Sequence, residues 1–405
     1  MDEFCGRMYV YIPCYIKNDK GRQVLAGYDA SDAYIEAVSS RFSDEISNRN
    51  LTRFSRGQVG TFPFDFFGLH ENDDNCELLE GKVYFSLNEK TKLCIMTVLF
   101  VLNGEPVTQF LDRVSREKIK IRLPSGERKE LYSYLRERMS IFIAGKARVC
   151  LSTGRKIPEA IKPSIFANEM YDSDVMYSAQ LQPGFDAAAW RQNIAVYNSS
   201  EIYASKHTVV RYDPSLDGED PELCGGSVKA VERDLMLTFI IEILMFREAS
   251  IKKVNLSIFN SIQSEVKLSL SDIDSLMKEF RSAILFWDLD IFLYPSAQSI
   301  SDKLFNRFDI DRSLEIYQKN QAYLQQRVGV SNAIQSEREV MAINAIAILV
   351  FFFEVTPFVY SIIGNYMSNG GISMTELLTA AGSLTTSLML FLSIVAYVRI
   401  RKGRP

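Results

Sequence analysis

The sequence predicts a mixed α+β domain on the cytoplasmic side, then a long stalk helix, then a C-terminal hairpin of two transmembrane helices. Two apolar stretches, Met341 to Ile363 and Leu377 to Val398, are each about 20 residues long, the length of a membrane-crossing helix. A helical repeat with no proline begins near residue 299 and continues into the first stretch, as far as residue 353. The first 226 residues combine β-rich runs with helical patterns.

The charges around the apolar stretches predict the orientation of the hairpin. The link at residues 366–376 holds no Lys or Arg, whereas Arg338 precedes the first stretch and four basic residues lie in the tail at 399–405. The positive-inside rule then places both ends in the cytoplasm. The prediction is a multi-pass protein of the inner (cytoplasmic) membrane, with the lipid bilayer as a partner. The N-terminus lacks the basic and apolar regions of a signal peptide, so secretion is not expected.

The N-terminal region reads as one α+β domain. The run Met8 to Ile12 predicts a strand, and Lys82 to Leu102 predicts a hairpin that turns at residues 88–91. Asn103-Gly104 is a turn dipeptide and is expected to end that hairpin. Helical spacing of charged and apolar residues predicts helices at Ser31 to Ile46 and at Glu127 to Phe142.

The acidic, turn-prone stretch at residues 213–222 is the predicted domain boundary. After it, Leu235 to Phe246 is apolar but only a dozen residues long and contains Glu242, which indicates a buried helix and not a third span. A further helix is expected from Ser271 to a stop at Pro295. The predicted divisions are a cytoplasmic sensor domain at 1–226, a helical and stalk region at 227–340, the hairpin at 341–398 and a basic tail at 399–405.

The stalk is predicted as one helix from Ser299 to Asn365, which would be roughly 100 Å long. Apolar residues between Ile310 and Val328 repeat at threes and fours, as in a coiled coil. A helix of that length cannot bury its apolar stripe alone. We therefore expect it to pack on other helices of the chain and on other subunits.

Composition excludes several classes of function. A net charge of -4 and a pI near 5.6 argue against stable nucleic-acid binding, which needs a basic face. The six cysteines form no C-x-x-C pair and the chain has only two histidines, so a zinc site is not expected. Nucleophile-elbow, dinucleotide-fingerprint and H-E-x-x-H motifs are missing from the sequence, so the chain is not expected to be an enzyme.

The order of these parts resembles the CorA family of divalent-cation channels. That family carries a Tyr-Gly-Met-Asn signature at the outer end of its first span, where this chain has Tyr360, Gly364, Asn365 and Met367 in a broken order. A divergent CorA-like branch accompanies type III CRISPR systems. The resemblance implies an oligomeric effector, most simply a pentamer, gated by a cytoplasmic nucleotide messenger such as an S-adenosylmethionine–AMP conjugate and acting by membrane permeabilisation. The alternative it implies is a magnesium channel, with Mg²⁺ as ligand.

A candidate phosphate site surrounds Ser152-Thr153-Gly154. Arg148, Arg155 and Lys156 flank this short turn, which follows a strand-like run. Backbone N–H groups and arginine side chains both bind anions, although the P-loop spacing is absent. The alternative is an ordinary basic turn in solvent.

The acidic loop provides a second candidate. Asp217 and Asp220, with Asp213 before them, are expected either to bind a cation or to contact the ribose hydroxyls or the amine of a ligand. Their spacing differs from that of an EF-hand. A loop that is merely solvated is the alternative.

A polar arc on the first apolar stretch is the candidate pore. Asn344, Glu354, Phe358, Ser361 and Asn365 fall within an arc of about 100° on a helical projection. An ionisable residue at membrane depth usually faces a bundle interior or water, so Glu354 is expected to attract cations. The alternative is a protonated Glu354 bonded between helices beside a proline kink.

Overall fold

The computed structural model describes residues 3–16, 54–65, 78–89, 91–107, 119–156, 192–214, 228–263, 294–323 and 340–346, together with shorter pieces and single residues. The chain divides into two compact units, Met1–Gln321 and Ala322–Pro405. Unit 1 contains all of the strands and helices that we name. In unit 2, residues 340–346 are helical and largely exposed.

Unit 1 is built on one mixed sheet of ten strands. Its order is β6-β5-β2-β3-β4-β1-β8-β10-β9, and β7 pairs with β1 beside this path. All pairs are antiparallel except β8 with β10, which is parallel. The strands are β1 Glu3–Ile16, β2 Phe54–Asp65, β3 Leu78–Asn88, β4 Leu93–Pro106, β5 Lys120–Arg122, β6 Arg128–Glu130, β7 Ile141–Ile143, β8 Arg148–Thr153, β9 Glu201–Ala204 and β10 Thr208–Tyr212.

Helices cover both faces of this sheet. The helices are α1 Leu131–Met139, α2 Val228–Gln263 and α3 Pro295–Arg307. Residues 34–39 and 310–323 are also helical. The longest of them, α2, contacts the central strands β1 and β4 as well as α3.

The alternation of side chains along β1 separates two hydrophobic cores. Met8, Val10 and Ile12 face a core that α1 closes with Leu131, Leu135 and Met139. Tyr9 and Tyr11 face the other core, beneath α2 and α3. Both faces of β1 are therefore buried, as expected for a central strand covered by helices on both sides.

The apolar segment Leu235 to Phe246 lies inside α2 and is buried, which confirms the predicted buried helix. Three acidic residues on α2 break its apolar surface, and each pairs with arginine from the sheet. Asp234 pairs with Arg7 and Arg211, Glu242 with Arg56, and Glu248 with Arg148. These pairs join α2 to the sheet in one orientation, because a buried charge is costly without its partner.

The predicted strand at residues 8–12 and the predicted hairpin are confirmed as parts of β1, β3 and β4. Asn88 closes the hairpin turn, because its Oδ1 accepts hydrogen bonds from both the backbone N–H and the hydroxyl of Thr91. The turn predicted at Asn103-Gly104 is wrong. Strand β4 continues to Pro106, and Gly104, at a φ of 114°, forms a bulge opposite Phe4 and Cys5.

The helix predicted from Glu127 to Phe142 is shorter than expected. Residues 128–130 and 141–143 are strands, and only Leu131–Met139 is helical. Ser140, in the left-handed conformation at a φ of 54°, ends the helix. Of the helix predicted at 31–46, the structure describes residues 34–39 as helical.

The predicted continuous stalk from Ser299 is wrong at its beginning. Helix α3 starts at Pro295, which occupies its first turn and does not end an earlier helix. The helix then ends at Arg307, and Asp309 takes a left-handed φ of 54° before residues 310–323 become helical again. A single helix therefore cannot run through residues 299–365.

The predicted fold class is contradicted by these observations. Unit 1 is a large mixed sheet with helices packed on it, and not an α+β domain that feeds a continuous helical stalk. Among the residues that the structure describes, no helix is long and apolar enough to cross a membrane. The predictions of a membrane hairpin, an ion channel and an inner-membrane localisation depended on such helices, and this finding contradicts them. Most of 341–398, and the tail at 399–405, lie outside the described residues.

Candidate ligand-binding site

The parallel pair β8 and β10 creates a sheet edge where two loops begin side by side. Thr153 at the end of β8 lies opposite Tyr212 at the end of β10, and the N–H of Asp213 donates to the Thr153 carbonyl at 2.9 Å. In sheets with parallel strands, ligands bind beyond the carboxyl ends of the strands. We call this place the carboxyl edge. The predicted phosphate turn follows β8 and the predicted acidic loop follows β10, so both start here.

A row of polar side chains crosses three neighbouring strands next to the carboxyl edge. Arg7 of β1 lies opposite Ser152 of β8, and Ser152 lies opposite Arg211 of β10. Residues paired across a sheet share a face. Asp234 of α2 lies over this row, so one carboxylate meets side chains from all three strands.

Asp234 accepts hydrogen bonds from four donors. Its Oδ2 accepts from Arg7 Nε at 2.7 Å and from the Tyr9 hydroxyl at 2.9 Å. Its Oδ1 accepts from the Ser152 hydroxyl and from Arg211 Nη1, both at 2.6 Å. Such short, charge-assisted bonds suit an ionised carboxylate, which only accepts.

Arg211 also binds a second carboxylate. Its Nη2 donates to Asp213 Oδ2 at 2.7 Å. The side chains of Arg211 and Asp213 are both 12% exposed, whereas those of Arg7 and Asp234 are 2% and 3% exposed. The network is therefore most deeply buried at Arg7 and Asp234 and less buried at Arg211 and Asp213, next to the carboxyl edge.

Burial and charge act together on the network. Burial lowers the pKa of Arg7, but the charge of Asp234 and the bonds to Asp234 and Tyr9 outweigh it, so the pKa is raised above its ordinary value. Burial raises the pKa of Tyr9, and the neighbouring Asp234 raises it further. Arg7 Nη2 is buried and has no hydrogen-bond partner within the described part of the chain. The network thus holds a donor beyond those that Asp234 uses.

The predicted phosphate residues Arg155 and Lys156 lie at the carboxyl edge and are exposed. The Thr153 hydroxyl donates to the Cys5 carbonyl at 2.7 Å and accepts from the Arg155 N–H at 3.1 Å, which fixes the start of the turn. Arg155 Nη1 lies 3.5 Å from the thiol sulfur of Cys5, two residues before Arg7 in β1. Arg155 therefore contacts the strand that carries Arg7, and Lys156 follows it in the same exposed turn.

The direction of α2 adds to the positive character of this edge. Asp234, near the start of α2, contacts the end of β8, and Glu248, further along, contacts Arg148 at the start of β8. The helix therefore runs antiparallel to β8, with its N-terminal end toward the carboxyl edge. The N-terminal end of a helix carries a partial positive charge that favours anions.

Arg148 lies elsewhere. As the first residue of β8 it is about 17 Å along the strand from Thr153. It pairs with Glu248, donates to the Lys206 carbonyl at 3.1 Å, and its guanidinium lies 4.1 Å from the ring centre of Phe308. Its side chain is 1% exposed, and its contacts connect the sheet to α2 and to the residue that follows α3. Arg148 is therefore not part of the cluster with Arg155 and Lys156.

The remaining predicted residues are not brought together by the described structure. Asn344 is helical and exposed in unit 2. Asp217, Asp220, Glu354, Phe358, Ser361 and Asn365 lie outside the described residues. Where the chain is described, no group of three or more His, Cys, Asp or Glu side chains could hold a metal ion.

Sequence reasoning missed the central part of this site. Arg7, Arg211 and Asp234 are far apart in the chain and match no motif. One signal was present: Arg7 interrupts an otherwise apolar strand, and Asp234 directly precedes the apolar run of a buried helix. Charged residues at buried positions are usually paired, so such positions are candidates for one shared network.

Comparison with known proteins assigns no family and no function to this chain. No family model, curated protein or solved structure matches this chain. The function must therefore be argued from the site.

Proposed function

We propose that unit 1 is the ligand-binding sensor of a defence effector, and that it binds a small phosphate-bearing nucleotide at the carboxyl edge of β8 and β10. The observation that carries the proposal is the concentration of positive groups at this edge. Arg155 and Lys156 are exposed there, Arg211 is 12% exposed near the end of the neighbouring strand, and the N-terminal end of α2 points toward this edge. Each of these features favours an anion.

The proposal names binding and not catalysis. The network around Asp234 is made of paired charges, and neither of its acidic residues is placed beside a histidine or a nucleophilic cysteine in the contacts described. Such a set recognises and orients a charged ligand. In the proposal, Asp217 and Asp220 contact the sugar or amine end of that ligand. The S-adenosylmethionine–AMP conjugate, which carries both a phosphate and an amine, is the first candidate.

Charge reversal at the exposed cations tests this function. We expect the full-length Arg155→Glu and Lys156→Glu variants to bind the conjugate at least tenfold more weakly than the parent, since each loses an attraction to phosphate and gains a repulsion. Isothermal titration calorimetry with the conjugate, AMP and S-adenosylmethionine measures this effect. Arg312→Glu, an exposed arginine in the helical residues 310–323, is the matched control and should bind as the parent does.

Two results would contradict the proposal. Absence of binding for all three ligands to the parent would remove the nucleotide-sensor function. Binding that is unchanged in both edge variants, or weakened equally by Arg312→Glu, would place the ligand away from the carboxyl edge.

A further inference from the structure

Arg211 differs from the other buried arginines of unit 1 in the carboxylates that it binds. Arg56 pairs with Glu242, and Arg148 pairs with Glu248, each from α2. Arg211 holds one carboxylate of α2, Asp234, and one of its own strand end, Asp213. Asp213 is two residues from Arg211 and stands at the first position of the loop that leaves the carboxyl edge.

We propose that Arg211 is the anion-binding residue of this site and that Asp213 is a built-in competitor, which occupies the Arg211 guanidinium until a phosphate replaces it. The inference rests on the proposed function and identifies how the same site recognises its ligand. A carboxylate and a phosphate oxygen use the same donors of a guanidinium. Asp213 thus fills, in the free protein, the place that the ligand phosphate takes in the complex.

The network tolerates this exchange. When Arg211 Nη2 turns from Asp213 to a phosphate, Asp234 keeps its bonds from Arg7, Tyr9 and Ser152 and remains compensated. The carboxylate that is released, Asp213, is the less buried of the two, since its side chain is 12% exposed and that of Asp234 is 3% exposed. Releasing Asp234 instead would leave a charge buried beneath α2, which is far more costly.

The other arginines of the sheet do not meet these conditions. Arg148 is 1% exposed at the opposite end of β8, and its guanidinium is stacked on Phe308. The side chain of Arg56 is 7% exposed, and it bonds the Ser86 hydroxyl and Glu242. Arg7 is 2% exposed beneath Asp234. Among these residues, Arg211 is the one that reaches both the network and the carboxyl edge.

Two substitutions with opposite expected effects test the inference. Asp213→Asn removes the competing charge, so AMP should bind about tenfold more tightly; Arg211→Lys keeps the charge but loses the forked donor, so AMP should bind about tenfold more weakly. Adenosine, which lacks the phosphate, should be affected by neither change. Asp311→Asn removes the same charge from an exposed helical position and controls for long-range electrostatics. Titration calorimetry of both ligands with the full-length parent and the three variants measures these effects.

The outcomes separate this inference from the proposed function. Weaker AMP binding in both Asp213→Asn and Arg211→Lys would indicate a purely structural role and overturn the inference. Unchanged binding in both variants, with Arg155→Glu still weakened, would overturn it and leave the edge site standing. If Asp311→Asn tightened AMP binding as much as Asp213→Asn does, the effect would come from net charge alone, and the inference would be overturned. A parent that binds neither AMP nor the conjugate would remove both proposals.

Discussion

Individual residues of the site were predictable only where the chain itself places them together. Arg155 and Lys156 follow a strand and a glycine turn, so their position at a strand end could be expected from local sequence. Arg148 flanks the same turn from inside the strand-like run, and the structure turns it toward Glu248 and Phe308. Arg148 and the turn at residues 154–156 are close in sequence but lie at opposite ends of β8. The contact of Arg148 with Glu248 of α2 could not be predicted from the local sequence.

His207 should make the stability of unit 1 depend on pH. Burial, and then the charge of Arg148, lower the pKa of His207 to about 3, although Glu248 opposes this change. Between the ordinary pKa of about 6.5 and that value, the unfolded chain binds a proton that the folded chain does not. Stability is therefore complete above pH 6.5 and falls by up to about 1.4 kcal/mol per pH unit below it.

Urea unfolding of the parent and of His207→Gln at pH 7, 6 and 5 measures this slope. We expect the parent to lose stability across the series and the variant to lose clearly less. This range lies above the region where most carboxylates titrate, so Glu248 adds little to it. Identical slopes in the two proteins would mean that His207 is not held neutral by the fold.

At the scale of elements, three central strands were predictable and the helix limits were not. The runs at residues 8–12 and 82–102 are rich in β-branched and aromatic residues, and they form parts of β1, β3 and β4. The end of α3 depends on one left-handed residue, Asp309, which is not a glycine and gives little signal in sequence. The bulge at Gly104 was mistaken for a turn because both need the same glycine conformation.

Gly6 should be essential for the pairing of β1 with β8. Its φ of 151° disfavours other residues, and a Cβ atom there would lie 2.2 Å from the Ser152 carbonyl oxygen. Gly6→Ala must therefore strain β1 and push it away from β8, at a cost of about 3 kcal/mol or more. Gly104→Ala has a comparable φ of 114° but meets no atom within 4 Å, so it should cost only about 1 kcal/mol.

Thermal and urea unfolding of the two glycine variants, beside the parent, measures the difference. Because Arg7 is the next residue in β1, Gly6→Ala should also weaken AMP binding, whereas Gly104→Ala should not. Equal stability of the two variants would show that strand contact at Gly6 is not the constraint that its geometry indicates.

For the whole molecule, periodicity suggested the wrong architecture. A long helical pattern and two apolar stretches favoured a stalk and a hairpin, while the structure instead builds one mixed sheet closed by α2 and α3. Non-local pairing decided this. Strand β1 lies between β4 and β8, and α2 forms ion pairs with β1, β8 and β10 that no local window contains. The extent of the sheet was therefore not accessible to pattern analysis, although the strands β1, β3 and β4 were.

The central claim is that a phosphate-bearing nucleotide binds at the carboxyl edge and takes Arg211 from Asp213. A structure of the full-length chain in complex with AMP tests it most directly. We predict the phosphate within hydrogen-bond distance of the Arg211 guanidinium, close to Arg155, with the Asp213 carboxylate moved away and Asp234 still bound by Arg7, Tyr9 and Ser152. AMP bound elsewhere on the chain, or bound at this edge with the Arg211–Asp213 pair intact, would contradict the account.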